Sequence, residues 1–375
     1  MTLSPLQGFT VGITAGRRAD EQAELLQRRG ATVIHGPAIT TEYLGSDAAL
    51  RAATDAVLAA KPTYLIATTG IGIRAWLEAA QSWGCADALV ETLRATTVFA
   101  RGPKAAGALK SAGLSVHVTA PTERLDELVE DLSMRSLTST CIAFQHYGAL
   151  SEAASTLLRE KGARVIDVPV YRYGVPEDTA ATERLIGATC EGEIDAITFT
   201  SAPAVHNFVR IAEGRGDRDR LIAAFNSRGV VAACVGPACA EAATELGIAG
   251  PVAPSVGRLG LLVRELDDAL QRRRTALHAD GASVVVQGGV VAVDDTVIEL
   301  TPRERAVLDA LIRRVGTVVS KTVLLHDVWS DQADAHAVEA TIGRLRRRLG
   351  AGANALRSVR GRGYIVNAHT DPKWV

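Results

Sequence analysis

The stretch Val98-Phe99-Ala100-Arg101-Gly102-Pro103-Lys104-Ala105-Ala106, running on into Ala112-Gly113-Leu114, decides the fold because the chain contains its pattern twice. The echo is Val231-Ala232-Ala233-Cys234-Val235-Gly236-Pro237-Ala238-Cys239-Ala240, followed by Leu246-Gly247-Ile248. Each copy reads as a short apolar strand, a Gly-Pro turn, a helix, a glycine stop and a further strand, with proline in the first helical turn where its missing N–H costs nothing. A second pair precedes them, Leu65-Ile66-Ala67-Thr68-Thr69-Gly70 and Ile197-Thr198-Phe199-Thr200-Ser201-Ala202. Both are strands ending in hydroxyl residues ahead of a helix. The simplest translation is two similar α/β lobes facing each other across a cleft. The hydroxyls and Gly-Pro turns then lie at the carboxyl ends of the strands, where such sheets bind ligands.

Outward from the repeat, the first ~270 residues keep alternating short β-branched runs with Ala/Leu-rich helical stretches, the pattern of a parallel sheet covered on both faces. Strands are expected over 9–15, 31–34, 63–68, 96–100, 115–118, 140–144, 164–168, 196–200 and 230–235. A charged helix over 259–276 follows, and then the composition changes. Residues 283–287 and 290–293 are β-rich around Gly288-Gly289, a hairpin signal. Thr301-Pro302-Arg303-Glu304 carries the marks of a capping box. Helices are expected over 303–314, 321–328 and 335–349, then two strands around Gly361-Arg362-Gly363.

Length and composition bound the class. At 375 residues the chain is too long for one core. With 47% hydrophobic and 22% charged residues it is globular. No apolar run approaches the ~18–20 residues a bilayer span needs, so no membrane partner is expected. The segment Met1-Thr2-Leu3-Ser4-Pro5 lacks the basic and apolar regions of a signal peptide. Five cysteines, an odd number, argue for thiols in a reducing cytoplasm. The net charge of −1 hides a patch: residues 340–363 hold seven arginines and no Asp or Glu. One basic end on a neutral molecule points to a polyanion met by that end.

On the last expected helix Val338, Ile342, Leu345 and Leu349 share one face, while Ala337, Ala340, Thr341, Arg344, Arg347 and Arg348 share the other. Small residues ahead of arginines suit entry into a DNA major groove. Arg360 and Arg362 at a protruding turn suit the minor groove or flanking phosphates.

Leu300-Thr301-Pro302-Arg303-Glu304, Gly316-Thr317-Val318-Val319-Ser320-Lys321, Val328-Trp329, Ile342-Gly343-Arg344-Leu345-Arg346-Arg347-Arg348-Leu349 and Val359-Arg360-Gly361-Arg362-Gly363-Tyr364 together resemble the winged-helix effector domain of OmpR/PhoB-type response regulators. The resemblance implies a double-stranded DNA partner. It puts Ala340, Thr341 and Arg344 at base-facing positions, Arg346 and Ser358 at phosphate-facing ones and Arg360 on the wing. Gly343 departs from the pattern and costs roughly 1 kcal/mol of helix propensity.

The two-lobe repeat, with Ile194-Asp195-Ala196-Ile197-Thr198-Phe199-Thr200-Ser201 in its second half, resembles uroporphyrinogen-III synthase over residues 8–270. That family has no cofactor; it closes a linear tetrapyrrole while inverting the last ring. The resemblance implies two lobes, one from residues 1–35 and 174–270, the other from 44–167, joined by strands within 35–43 and 168–173. A winged helix over 278–370 then completes the chain. The cleft set is Arg17, Thr68, Thr69, Gly102, Tyr171, Thr200, Ser201 and Gly236, with Tyr171 matching a linker tyrosine implicated in the synthases. The family's threonines two positions after each Gly-Pro are replaced by Ala105 and Cys239. A thinned site on a retained scaffold is the form a sensor derived from an enzyme takes.

Other signals are weaker. Gly70-Ile71-Gly72-Ile73-Arg74-Ala75 fits the loose dinucleotide pattern but is read as a close helix start. Cys234 and Cys239 are read as buried thiols ahead of a redox pair, Gln145-His146-Tyr147 as polar groups satisfied at a strand end with a ligand contact as the alternative, and no metal ligands are assigned. Domain order resembles actinobacterial regulators of nitrate and nitrite assimilation. The expectation is a cytoplasmic one-component regulator binding a small anionic or tetrapyrrole-related ligand and acting beside a nitrogen response regulator; an active synthase with a DNA-binding tail is the alternative.

Overall fold

The computed structural model describes residues 3–45, 47–148, 151–277, 279–329 and 333–367. The expected domain limits at 1, 278 and 370 therefore lie outside the described residues. The chain divides into two compact units, one of residues 1–39 and 176–375, the other of 40–175.

The first unit opens with β1 (Thr10–Ile13), α1 (Ala19–Gln27) and β2 (Thr32–His35). The chain then builds the whole second unit: β3 (Thr40–Tyr43), α2 (Ala48–Ala60), β4 (Tyr64–Ala67), α3 (Gly70–Ser82), α4 (Ala86–Arg94), β5 (Thr97–Ala100) and α5 (Pro103–Ser111). It continues with β6 (Val118–Thr119), α6 (Leu125–Ser133), β7 (Cys141–Gln145), α7 (Glu152–Glu160), β8 (Arg164–Val168) and β9 (Tyr171–Gly174). Back in the first unit come α8 (Ala180–Glu191), β10 (Ala196–Phe199), α9 (Ala202–Gly214), α10 (Arg218–Asn226), β11 (Val231–Cys234), α11 (Pro237–Glu245) and α12 (Leu259–Gln271).

The second unit's sheet is parallel in the order β6-β5-β4-β7-β8, and the first unit's is parallel in the order β11-β10-β1-β2. The repeat is visible in this wiring. β4 lies between β5 and β7 as β10 lies between β11 and β1, and the Gly-Pro turns follow β5 and β11. The strand expected after the second turn is reduced to one bridge between Val252 and Ala233. β3 and β9 form a separate antiparallel pair, Tyr43 opposite Tyr171, which is the two-stranded linker of the fold.

Small apolar residues in short strands allow helices to press on both faces. Val11, Ile13, Ala196 and Ala233 pack with Leu26, Leu262 and Leu266 in one core, while Leu65, Ala67, Val98 and Ala100 pack with Trp76 and Leu109 in another.

The C-terminal part is an antiparallel sheet β12 (Thr275–Leu277), β13 (Val284–Gln287), β14 (Val290–Val293), β15 (Thr296–Glu299), then α13 (Pro302–Ile312), α14 (Lys321–Trp329), α15 (Ala335–Leu349), a 3₁₀ turn (Gly350–Ala355) and the hairpin β16 (Leu356–Val359), β17 (Gly363–Val366). The sequence reading missed β12 and β15, and ran the preceding helix five residues too far. Thr275-Ala276-Leu277 has no helical period of its own and becomes a strand only by pairing with β13. The Gly288-Gly289 hairpin and the Thr301/Glu304 capping box are present as read.

Candidate functional site

The set expected to face DNA starts from α15. Asp334 caps it by accepting the Ala337 N–H at 3.1 Å, and Val338, Ile342, Leu345 and Leu349 are buried against α13 and α14. That packing rotates the rest of the helix outward. Arg344 and Arg347 are exposed, Ala340 is half-buried, and Arg344 donates to the Thr341 hydroxyl at 3.0 Å. Arg357, Ser358, Arg360 and Arg362 lie on the hairpin, all four exposed. The guanidinium groups of Arg347, Arg357, Arg360 and Arg362 make no hydrogen bond or ion pair among the described residues, so they are open to an anion.

Three residues expected on the DNA face make contacts inside the domain. Thr341 is 1% exposed and its hydroxyl donates to the Ala337 carbonyl at 2.8 Å, because its place beside Val338, Ile342 and Leu345 turns it toward the core side. Arg346 donates twice to the Leu356 carbonyl, at 2.9 and 2.7 Å, and once to Ser358 Oγ at 2.9 Å, with its guanidinium near the Tyr364 ring. It braces the wing against the helix. Arg348 donates to buried Glu304 at 2.6 Å and to the Glu299 carbonyl, tying α15 to the start of α13. No spacing rule finds Glu304 as the partner, since the two lie 44 residues apart.

In the second unit, the residues at the carboxyl ends of the strands form one connected group. Thr69 caps α3 by accepting the Gly72 N–H at 3.2 Å, and its hydroxyl lies 3.2 Å from the Tyr171 hydroxyl. Tyr171, 2% exposed, lies 3.5 Å from the Tyr173 hydroxyl. Burial pushes the Tyr171 hydroxyl well above its ordinary pKa, the adjacent Tyr173 adds to this, and the Thr69 bond and Arg101 charge oppose it. Tyr171 is therefore held neutral. Gln145 orders the turn beneath: its Oε1 accepts the N–H groups of Thr68 and Thr69, both at 3.1 Å. A Cβ on Gly72 would sit 2.2 Å from Gln145 Nε2, so close packing on Gln145 requires that glycine. Arg101, one residue before Gly102, stacks on Tyr147 at 4.6 Å. Tyr173 and Arg101 were not singled out from sequence. The Tyr-x-Tyr alternation on one strand face was the available signal for Tyr173.

His146 belongs to a different network. Its Nε2 pairs with Asp167 at 2.6 Å, its Nδ1 accepts the Ser151 N–H at 3.0 Å, and Ser155 donates to Asp167 at 2.6 Å. The serine serves the aspartate and not the imidazole, so no nucleophile is activated here.

In the first unit, Thr200 and Ser201 link β10 to α9, and neither hydroxyl has a partner among the described residues. Arg17 is exposed on the loop after β1, while Arg18 is paired with Glu21 at 2.6 Å. Gly236 opens α11. Cys234 and Cys239 are buried, at 0% and 3%, and Cys239 donates weakly to the Phe199 carbonyl.

A two-lobed α/β domain with hydroxyl-rich strand ends, followed by a winged helix with an open arginine face, defines a class: a transcription regulator whose DNA-binding domain is fused to an enzyme-type fold. Residues 20–279 match the family model described as uroporphyrinogen-III synthase HemD, and residues 295–366 match that of the C-terminal domain of transcriptional regulatory proteins. The chain belongs to the HemD uroporphyrinogen-III synthase family, and it carries an OmpR/PhoB-type DNA-binding domain beyond it.

A Bacillus subtilis (strain 168) protein, YjjA, is 29% identical over 264 residues, 70% of this chain and 96% of the relative. The crystal structure of a mutant uroporphyrinogen III synthase from the extremely thermophilic bacterium Thermus thermophilus superposes with a TM-score of 0.58 at 30% identity, covering 70% of this chain and 99% of that one. Escherichia coli (strain K12) transcriptional regulatory protein PhoP is 32% identical over 106 residues, 26% of this chain and 48% of PhoP, so the chain spans about half of that regulator. Among the described residues, no helix is long and apolar enough to cross a membrane.

Proposed function

We propose that the chain is a one-component transcription regulator of nitrate and nitrite assimilation genes, acting in the cytoplasm beside a nitrogen response regulator. Its synthase-type domain holds a small anionic or tetrapyrrole-related ligand. The observation that carries this reading is the set Arg347, Arg357, Arg360 and Arg362, four cations without intramolecular partners among the described residues of α15 and the wing. Together with Arg344 they suit a duplex: phosphate neutralisation supplies affinity and base-edge contacts supply preference. The ligand class follows from the family's substrate chemistry, and nitrite reductase's sirohaem derives from uroporphyrinogen III.

Support for a sensor comes from the missing hydroxyls after the Gly-Pro turns. Ala105 and Cys239, two positions after the Gly-Pro pairs, are 1% and 3% exposed and offer no hydroxyl. The rival reading, an active synthase, is favoured by the Thr69–Tyr171 hydroxyl pair. The test is twofold. Duplexes selected from a random pool are titrated with protein in the presence and absence of uroporphyrinogen III, sirohaem and nitrite, and the same preparation is assayed with hydroxymethylbilane. A tenfold ligand-dependent change in DNA affinity, about 1.4 kcal/mol of coupling, supports the sensor. Turnover to uroporphyrinogen III with no effect on DNA binding overturns it.

A further inference from the structure

The helix that leads to the DNA-binding domain is not a free lever. α12 buries Leu262, Val263, Leu266 and Leu270 in the core of the first lobe with Val11 and Ala196. Residues 272–274 alone separate it from β12. The two domains instead meet across a built joint. β13 and β14 are buried at every position. Val284, Val286, Val291 and Val293 face the winged-helix core, while Val285, Val290 and Ala292 pack on Leu3 of the first lobe. Gln287, 1% exposed, donates to the Ser4 and Gln7 carbonyls, both at 2.9 Å.

Beside it the backbones touch: Gly289 N–H donates to Gly8 O at 2.6 Å. A Cβ on Gly8, at φ 81°, would lie 2.6 Å from the Gln287 carbonyl, and one on Gly288 would lie 2.5 Å from Gly8 O. Two glycines are what allow this approach.

A buried charge closes the joint. Asp195, 4% exposed, accepts the Thr10 N–H at 2.8 Å and pairs with the Arg305 guanidinium of α13. Arg305 also faces Asp309 at 3.6 Å, and Arg273 reaches the Asp195 carbonyl at 3.4 Å.

These anchor points lie at the amino ends of strands whose carboxyl ends carry the expected ligand residues. β1 runs from Thr10 toward Arg17, and β10 from Asp195 to Thr200 and Ser201. We infer that the amino edge of this sheet is the coupling surface of the regulator: Asp195–Arg305 and Gly8–Gly288 lock the DNA-binding domain onto β1 and β10, and these strands report occupancy of their other ends. The path from Asp195 to Thr200 is roughly 16 Å at about 3.3 Å per residue. The reporting step rests on the sensor reading; the lock does not.

The experiment uses the full-length protein with Arg305→Gln, Asp195→Asn and, as a variant that alters no charge, Gly288→Ala. Amide hydrogen exchange is followed in residues 284–287 and 290–293 of the joint and in 338–345 of α15. The lock predicts about tenfold faster exchange in the joint in all three variants, with α15 unchanged. Unchanged joint exchange, or equal loss in joint and α15, overturns it. DNA affinity is then measured with and without uroporphyrinogen III. A response in the parent that disappears in Arg305→Gln supports the coupling, and an equal response in both overturns it. If the parent itself does not respond to any of the tetrapyrroles or nitrite, the sensor reading and the reporting step fall together, and the exchange result decides the lock alone.

Discussion

Replacing Arg348 with methionine separates two roles that the sequence leaves superposed on one run of arginines. If Arg348 faces phosphates, its loss weakens DNA binding and leaves the fold alone. The structure directs its guanidinium to Glu304, whose carboxylate is 2% exposed and also accepts the Thr301 N–H and hydroxyl at 2.9 Å each. A fully buried pair broken on one side costs about 3–5 kcal/mol. Two features lower that figure here. Arg348 is itself 38% exposed, and Glu304 keeps its capping bonds at the positive end of α13. The charge-assisted bond to Glu304, at the low end of its range, then accounts for about 1.5 kcal/mol. For a domain of this size that corresponds to roughly 6–12 °C. Scanning calorimetry of Arg348→Met should show that drop, while a salt titration of DNA affinity keeps the parental slope. Arg347→Ala is the contrast: unchanged melting and a slope shallower by about 0.9. An Arg348→Met protein that melts like the parent and loses a unit of slope would refute the assignment.

Further outcomes follow from other contacts. Arg346 braces the wing through Leu356 and Ser358, so Arg346→Ala and Arg360→Ala should be non-additive in DNA affinity by about 0.5 kcal/mol or more; strictly additive costs would return Arg346 to the phosphates. Burial alone would raise the pKa of Asp167, but hydrogen bonds from His146, Ser155 and Arg159 outweigh it and hold the carboxyl at about 2. With the folded value below the unfolded 3.8, its contribution of about 2 kcal/mol is complete above about pH 4 and is lost as pH falls toward 2. Asp167→Asn should flatten acid unfolding across that window, and an unchanged profile counts against the network. Tyr171→Phe removes the bond to Thr69 and should cost within about 1 kcal/mol of stability while abolishing any response to uroporphyrinogen III; a full response would place the ligand elsewhere.

Periodicity and turn chemistry determined much of this protein by themselves. The doubled strand–Gly-Pro–helix pattern specified two parallel α/β lobes, because buried strands and proline-started helices are local signals. The spacing of Val338, Ile342, Leu345 and Leu349 likewise specified which side of α15 is buried. The tertiary structure decided what each polar residue on those elements does. Arg344, Arg346, Arg347 and Arg348 are chemically alike, and only the placement of Leu356 and Glu304 turns Arg346 and Arg348 into braces. Thr275-Ala276-Leu277 becomes a strand by pairing, and Asp195 meets Arg305 across 110 residues. Such partners are set by which surfaces the packed cores bring together, and no spacing along the chain encodes that.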